Sequence, residues 1–129
     1  MDSDDEILPI FSRLRDMVKN LDSNDVIEEI DKSSPYKKSY KYKSKRKRGN
    51  PYRKFILFIH LPKRQNKVII QLCTGKYGDI IDKKGITTPE TGWDHIKKKL
   101  IVTSEGLDSG EITYEDIEDL MNQGYNLLK

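Results

Sequence analysis

The sequence predicts an α+β protein, with a small antiparallel sheet in the middle of the chain and amphipathic helices on either side. Two β-rich runs, KFILFIHL and NKVIIQLC, are separated by the polar turn LPKRQNK, which is typical of a hairpin. Apolar residues recur every three or four positions near the N-terminus and again in residues 113–129, which indicates helices. With 129 residues, the chain is long enough for one domain with a modest core.

The N-terminal segment is predicted to be helical. The apolar residues that follow the spacing of one helix face are Ile7, Phe11, Leu14, Val18 and Leu21. Pro9 fits only in the first turn, so the regular helix is expected to begin near it. Asp22 or Ser23 then offers a cap for a second short helical stretch that ends near Ile30.

Residues 33–52 are predicted to form a flexible arm. Residues 33–54 contain ten basic residues and no acidic one, and Ser, Gly and Pro interrupt any regular pattern. This density of positive charge favours contact with a phosphate backbone. The predicted phosphate contacts are Lys37, Lys38, Lys41, Lys43, Lys45, Arg46, Lys47, Arg48 and Arg53. The tyrosines expected to stack on unpaired bases are Tyr36, Tyr40, Tyr42 and Tyr52.

Two other interpretations of the arm stay open. The run KSKRKR is typical of a nuclear localisation signal. A solvated tail without a fixed partner is the third interpretation.

The first run of the predicted hairpin is apolar on both faces. Alternation places Phe55, Leu57 and Ile59 on one face. The opposite face would carry Ile56, Phe58 and His60. Such a strand is either sandwiched in a core or uses one face for binding, and core packing is the expectation for most of these residues. His60 is expected to be a polar surface residue.

The stretch KYGDIIDKKG follows the hairpin and combines basic and aromatic residues near turns. Its predicted nucleic-acid contacts are Lys76, Tyr77, Lys83 and Lys84. On a small sheet, lysines can track a single-stranded backbone while a ring stacks on a base. The rival interpretation is a metal-dependent nuclease remnant built on Asp79 and Asp82, but these carboxylates are too close in sequence for the separated set that such chemistry needs.

The stretch TTPETGWDHIKKKLIV predicts a helix. Thr88 is a plausible N-cap and Pro89 would occupy the first helical position. Trp93, Ile96 and Leu100 would form its apolar face.

A last amphipathic helix is predicted in residues 113–129. Thr113 and Asp116 resemble a capping box at its start. Its apolar residues are Ile117, Leu120, Met121, Leu127 and Leu128.

The sequence lacks the residue patterns that would indicate an enzyme, a zinc site or a secreted protein. The single cysteine, Cys73, rules out a disulfide within the chain and fits a reducing compartment. His60 and His95 lie far apart and have no cysteines at ligand spacing. No Ser–His–Asp order, nucleotide-binding glycine loop or catalytic carboxylate pair stands out. We therefore expect an intracellular protein that does not span a membrane, has no cofactor or metal and is not an enzyme.

The stretch KKGITTPETGWDHIKKKL, from Lys83 to Leu100, resembles a motif of the transcriptional Positive Cofactor Four family, the coactivators of RNA polymerase II. That motif is a basic-Gly-Ile-Ser/Thr step leading into a helix with a Pro and a Trp in its first turns. The run NKVIIQL is similar to the family's second strand. The resemblance covers roughly residues 53–100, and an elaborated version of this kind would suit a large DNA virus as well as a cell.

The resemblance implies a curved four-stranded antiparallel sheet followed by a helix, a homodimer with helices in its interface, and binding of melted DNA along the sheets. It assigns phosphates to Lys83 and Lys84 and base stacking to Tyr77. Trp93, Ile96 and Leu100 would lie in or beneath the dimer interface. The predicted division is an acidic helical segment at 1–32, the arm at 33–52, the DNA-binding domain at 53–104 and an acidic helix at 105–129.

The function predicted is therefore that of a dimeric single-stranded DNA-binding transcription cofactor, located in the nucleus or, in a viral setting, at a cytoplasmic replication site of the host cell. Its expected partners are melted DNA and the transcription machinery, with duplex DNA or RNA as further ligands. Two alternatives remain: an interaction protein that recruits a transcription or host factor through its acidic helices, or an RNA-binding protein that uses the same surface.

Overall fold

The computed structural model describes residues 4–30, 38–45, 56–62, 66–73, 81–90 and 97–126. The three helices in these ranges are α1 (Asp4–Lys19), α2 (Ser104–Ser109) and α3 (Tyr114–Asn126). The six strands are β1 (Val26–Ile30), β2 (Lys38–Ser44), β3 (Ile56–Leu61), β4 (Val68–Cys73), β5 (Thr87–Glu90) and β6 (Lys97–Val102).

The strands form one antiparallel sheet in the order β1-β2-β3-β4-β6-β5. The predicted α+β class is confirmed, and so is the hairpin, because β3 pairs with β4 at the centre of the sheet. The expected number of four strands is wrong, since the described residues contain six. The two additional strands are β1, which lies in the segment predicted to be acidic and helical, and β2, which lies in the segment predicted to be an arm.

All the described helices that contribute to the core pack on one face of this sheet, here called the helix-covered face. Directly opposed residues of a ladder share a face and successive residues alternate, so the register assigns every strand position to one side. The sheet residues in the core are Val26, Tyr42, Leu57, Ile59, Leu61, Val68, Ile70, Leu72, Leu100 and Val102. The helices contribute Ile7, Ile10, Phe11, Leu14, Val18, Ile117, Leu120, Met121 and Tyr125.

The terminal helices follow their predicted periodicity. The expectation that the regular helix begins near Pro9 is wrong, because α1 begins at Asp4 and Pro9 lies inside it, where it cannot donate a hydrogen bond to the residue four positions before it. At the start of α3, the Thr113 N–H donates to Asp116 Oδ2 and the Asp116 N–H donates to Thr113 Oγ1, each at 3.0 Å. The capping box is therefore confirmed, while Leu127 and Leu128 lie outside the described residues.

The second helical stretch expected after Asp22 is wrong. Asp22 caps a tight turn instead, in which its carboxylate accepts the N–H of Asn24 at 3.1 Å and its carbonyl accepts the N–H of Val26 at 2.9 Å. The chain then continues as β1, which pairs with β2 along its whole length. Hydrogen bonds to a strand distant in sequence thus override the local helical pattern.

The expectation of a mobile arm is wrong for residues 38–44, which form β2. In KSYKYKS the tyrosines alternate with lysines, so Tyr42 is buried at 0% exposure on the helix-covered face while Lys41 and Lys43 lie on the other. Tyr40 packs against the core, where its ring meets Phe11 at a centroid distance of 5.7 Å. Tyr40 and Tyr42 are therefore structural residues rather than the stacking platform that the sequence suggested, and Tyr36 and Tyr52 lie outside the described residues.

The helix predicted from Thr88 onward is also wrong. Thr87–Glu90 forms β5, which pairs with β6 in Lys97–Val102. Pro89 is compatible with this position because β5 is an edge strand, where a residue without an N–H is tolerated. The element that the family resemblance implies after the sheet is thus a strand pair in this chain.

No helix among the described residues is long and apolar enough to cross a membrane.

Candidate nucleic-acid interface

The face of the sheet opposite to the helices carries a different set of residues and is called the helix-free face below. Its apolar members are Ile27, Ile56, Ile69 and Ile101, and its polar members are Ser39, His60, Gln71 and Thr88. Its charged and aromatic members are Glu29, Lys41, Lys43, Phe58 and Lys99. Ser39, His60 and Ile69 are buried at 2%, 5% and 4% exposure, whereas the lysines and the ring of Phe58 are partly exposed, on a side of the sheet where no described helix contributes to the core.

The centre of this face is a row of four residues that runs across four neighbouring strands. The register pairs Lys41 with Phe58, Phe58 with Gln71, and Gln71 with Lys99. Since neighbouring strands are about 4.8 Å apart, the Cα atoms of the two lysines are separated by about 14 Å. An aromatic ring and an amide thus stand between two cations at a spacing that an extended nucleotide chain can span.

The ring of Phe58 already interacts with a cation. Lys41 Nζ lies 5.8 Å from the ring centroid, within the range of a cation–π contact. Both residues are half-buried. The ring itself is neutral, so a move of the lysine from the ring to a phosphate would leave no unpaired charge on the protein.

His60 supports the row from within the sheet. It is only 5% exposed, so the expected surface position is wrong. Its Nε2 lies 2.7 Å from Gln71 Oε1, and its Nδ1 lies 2.7 Å from Ser39 Oγ. Because the amide oxygen only accepts, Nε2 carries a proton, and in the neutral ring the Ser39 hydroxyl donates to Nδ1.

The His60 imidazole also stacks on Phe58, with a centroid distance of 5.8 Å and an interplanar angle of 12°. The ring of Phe58 and the amide of Gln71 are therefore both oriented by one buried histidine. A pre-oriented ring loses less conformational entropy when a base stacks on it.

Lys43 is held by the edge strand. Its Nζ forms an ion pair with Glu29 Oε1 at 2.9 Å, and both side chains are partly exposed. Glu29 also lies directly opposite Lys41 in the ladder between β1 and β2. One carboxylate thus stands beside two lysines of the helix-free face.

Lys83 and Lys84 are not brought to this face. They form the turn before β5, and Lys84 Nζ forms an ion pair with Asp116 Oδ2 of α3 at 2.7 Å. The segment is fastened to the same helix at Ile81, whose N–H donates to Gln123 Oε1 at 2.7 Å and whose carbonyl accepts from Gln123 Nε2 at 3.0 Å. Lys84 therefore points to the helix side of the sheet.

Asp82 shapes this turn. Its carboxylate accepts the N–H of Ile86 at 3.1 Å, the N–H of Thr87 at 2.7 Å and the hydroxyl of Thr87 at 2.6 Å. Burial acts to raise the pKa of Asp82, but these hydrogen bonds outweigh it and hold the pKa below its usual value. Asp82 is thus occupied as a structural cap, and no group of side chains among the described residues could hold a metal ion.

The remaining predicted site residues divide into three groups. Lys38 and Lys45 are exposed at the two ends of β2. Leu100 is 4% exposed and belongs to the hydrophobic core of the chain, and its predicted place in or beneath a dimer interface stays a prediction. The residues that lie outside the described ranges are Lys37, Arg46, Lys47, Arg48, Arg53, Lys76, Tyr77, Trp93 and Ile96.

Phe58, Gln71 and Lys99 of the central row are not among the binding residues that the sequence predicts. Phe58 was recognisable as a residue of the second face of an alternating strand, but alternation alone does not say which face the helices cover. Lys99 was assigned to a helix because Thr88 and Pro89 imitate a helix start. Once β6 is known to be a strand, alternation places Lys99 and the buried Leu100 on opposite faces of the sheet.

Exposed carboxylates lie on the helix side of the molecule. Those on α2, α3 and the turn between them are Glu105, Asp108, Glu111, Glu115, Glu118 and Asp119. The two signs of charge are not fully separated between the two sides of the sheet, since Lys84 lies on the helix side and the exposed Glu29 lies on the helix-free face.

A sheet that is packed on one side by helices and presents lysines beside a ring on the other is typical of modules that hold unpaired bases. No protein-family model matches this chain, and no curated protein or solved structure is significantly similar to it.

Proposed function

We propose that this chain binds single-stranded nucleic acid across the helix-free face of its sheet. The observation that carries the proposal is the row of Lys41, Phe58, Gln71 and Lys99, which places a ring between two cations on four adjacent strands. Lysines supply affinity by releasing counterions from phosphates, and a ring supplies preference for unpaired bases because stacking needs an open base face.

In the bound state, Phe58 stacks on one base while Lys41 and Lys99 take phosphates on either side of it. Lys41 leaves the cation–π contact with Phe58 and pairs with a phosphate, so that stacking and charge pairing occur together. Stacking on one ring is worth about 1–3 kcal/mol per base.

The proposed cellular role is that of a transcription cofactor, acting as a dimer in the nucleus or at a viral replication site. This part rests on the resemblance of the Lys83–Leu100 stretch to the Positive Cofactor Four family. The resemblance is one of sequence alone, because the described parts of this stretch form β5 and β6 and the proposed contacts lie on β2, β3, β4 and β6.

RNA is an equally natural ligand for the face, since stacking and phosphate contacts do not distinguish the two sugars unless a group meets the 2′-hydroxyl. An interaction protein is the second candidate, and the exposed carboxylates of α2 and α3 favour it. The two candidates differ in one measurable property: only the first predicts salt-dependent binding to oligonucleotides.

The test is the affinity for a labelled single-stranded oligonucleotide and for its duplex, at several salt concentrations. Lys41→Gln and Lys99→Gln should each weaken binding and reduce the slope of log K against log salt by about 0.7. Lys84→Gln is the matched control, because it removes the same charge on the helix side, where Asp116 already pairs with it.

Phe58→Leu should chiefly reduce the preference for single strands over duplex. If Lys84→Gln weakens binding as much as Lys41→Gln, or if Phe58→Leu leaves the preference unchanged, the helix-free face is not the site. DNA and RNA oligonucleotides of one sequence then identify the polymer.

A further inference from the structure

Two neighbouring glutamates on the edge strand β1 are partnered in different ways. Glu28 lies on the helix-covered face, where Arg15 and the hydroxyl of Tyr42 donate to its carboxylate at 2.6 to 3.0 Å. Glu29 lies on the helix-free face and pairs with Lys43. The first glutamate joins α1 to the sheet, whereas the second makes its ion pair on the surface proposed for nucleic acid.

The Glu29 carboxylate pairs with a lysine that a bound phosphate would also contact. Its Oε1 is 2.9 Å from Lys43 Nζ, which is a hydrogen-bonded ion-pair distance. Its backbone lies opposite Lys41, the lysine that covers the ring of Phe58. The carboxylate therefore already holds one lysine of this face and lies on the residue opposite a second.

The exposure of the pair decides how it can act. The Lys43 side chain is 30% exposed and that of Glu29 is 46% exposed, so the pair is accessible to solvent and to ligands. An exposed pair of this kind contributes little to stability. It can therefore open without unfolding the strand, and a phosphate can replace the carboxylate.

We propose that Glu29 is a built-in competitor that occupies Lys43 and lowers the affinity of the helix-free face for nucleic acid. The inference rests on the proposed function and adds its regulation. With Glu29 in place, Lys41 and Lys99 are the cations that meet a ligand first, and Lys43 joins them only where the ligand displaces the carboxylate. Weak, non-specific polyanion binding is thereby reduced, while a strand that also stacks on Phe58 is retained.

The experiment measures the dissociation constant of a labelled oligothymidylate for the 129-residue chain and for its Glu29→Gln variant between low and moderate salt. Glu29→Gln should bind about two- to five-fold more tightly at low salt, which is the range expected for one exposed ion pair. The salt slope should steepen by about 0.7, because one more lysine becomes available for a phosphate.

The matched control is Glu118→Gln, which changes the net charge equally at an exposed position on α3, on the helix side of the sheet. A second background, Lys43→Gln, separates competition from general repulsion: there, Glu29→Gln should have no larger effect than Glu118→Gln. The Glu29→Gln change keeps the size of the side chain, and a thermal unfolding curve shows whether the sheet is intact.

If the wild-type chain binds and Glu29→Gln equals Glu118→Gln in affinity and slope, Glu29 is not a competitor and the inference is overturned. The same conclusion follows if the gain from Glu29→Gln persists at full size in the Lys43→Gln background. Absence of any binding by the wild-type chain overturns the proposed function itself and this inference with it.

Discussion

Gly124 of α3 lies directly over Leu72 of β4. A Cβ atom at position 124 would stand 2.8 Å from Leu72 Cδ1 and 2.9 Å from Leu72 Cδ2, closer than side-chain atoms normally approach. The glycine therefore lets the helix settle onto the centre of the sheet. In an exposed helix position, the same glycine would only cost stability relative to alanine.

Gly124→Ala should lower the free energy of unfolding by about 1–3 kcal/mol, because overpacking outweighs the gain in helix propensity. Urea unfolding followed by circular dichroism measures the change. Asn122→Ala, at an exposed position of the same helix, is the control and should be neutral or stabilising. In a Leu72→Ala background the clash is absent, so Gly124→Ala should then be stabilising; an undiminished loss there would contradict the close-packing explanation.

Tyr125 and Asp25 join the C-terminal helix to the turn before β1. The Tyr125 hydroxyl donates to Asp25 Oδ2 at 2.5 Å, and Asp25 is 1% exposed. Tyr125→Phe should lower the free energy of unfolding by about 1–3 kcal/mol, since a buried carboxylate loses a donor. Tyr114→Phe, whose ring lies under Arg13 at 3.8 Å, is the control and should change stability little.

The same pair predicts a loss of stability in alkali. Burial and the hydrogen bond to Asp25 raise the pKa of Tyr125 above its usual value. A raised pKa in the folded state contributes stability that is complete below the unfolded pKa, near 10, and is lost as the pH rises beyond it. Stability measured from about pH 9 to 11 should therefore fall less steeply in Tyr125→Phe than in the wild type. Parallel curves for the two proteins would show that the hydroxyl is not responsible.

Arg15 connects α1 to the two strands nearest the β1 edge. Its Nε and Nη2 donate to the two carboxylate oxygens of Glu28 at 3.0 and 2.8 Å, and its guanidinium lies 4.0 Å from the centroid of the Tyr40 ring. Arg15→Lys keeps the charge but loses the paired hydrogen bonds to Glu28 and the planar contact with the Tyr40 ring. We therefore expect the free energy of unfolding to fall by about 1–2 kcal/mol. Chemical unfolding measures this change in the free energy of unfolding. Lys19→Gln is the control, because Lys19 Nζ lies 3.7 Å from Asp16 Oδ1 in a longer, more exposed ion pair. Equal stability of Arg15→Lys and the wild type would mean that charge alone matters.

The Asp82 turn predicts sensitivity to acid. Because hydrogen bonds from Thr87, Ile86 and Gly85 outweigh burial and lower the pKa of this carboxylate, its contribution is present above the unfolded pKa, near 3.9, and is lost as the pH falls through the lower folded value. Asp82→Asn should be less stable at neutral pH but lose less stability between about pH 5 and 2.5. Asp108→Asn, at an exposed position on α2, is the control and should follow the wild-type curve.

Deleting the predicted acidic segment or the predicted arm would remove parts of the folded sheet and its core together with the charges. Removing residues 1–32 would take away α1 and β1, and with them Ile7, Phe11 and Leu14 of the core. Removing Lys37 to Arg48 would take away β2, which pairs with strands on both sides. Point substitutions of single lysines test the electrostatic contribution without dismantling the sheet.

The sequence by itself determined the elements whose pattern is complete within one segment. The apolar faces of α1 and α3 repeat with the helical period, and the α3 capping box joins Thr113 to a residue three positions later. The β3–β4 hairpin joins two apolar runs across a short turn. In each case the hydrogen bonds that define the element join residues close in the chain, so local residue types suffice to predict the element, although the apolar helix faces pack on the sheet.

Only the tertiary structure decided that the lysine-rich segments form strands and which residues make up the candidate site. Lys41, Phe58, Gln71 and Lys99 come from four separate segments, and the register of three strand pairs brings them into one row. Strands obtain their hydrogen bonds and their burial from distant partners, so KSYKYKS is a flexible polycation when taken alone and a half-buried strand beside β1 and β3. The helices then decide which side of each strand is covered, and this choice leaves the lysines and Phe58 on the helix-free face.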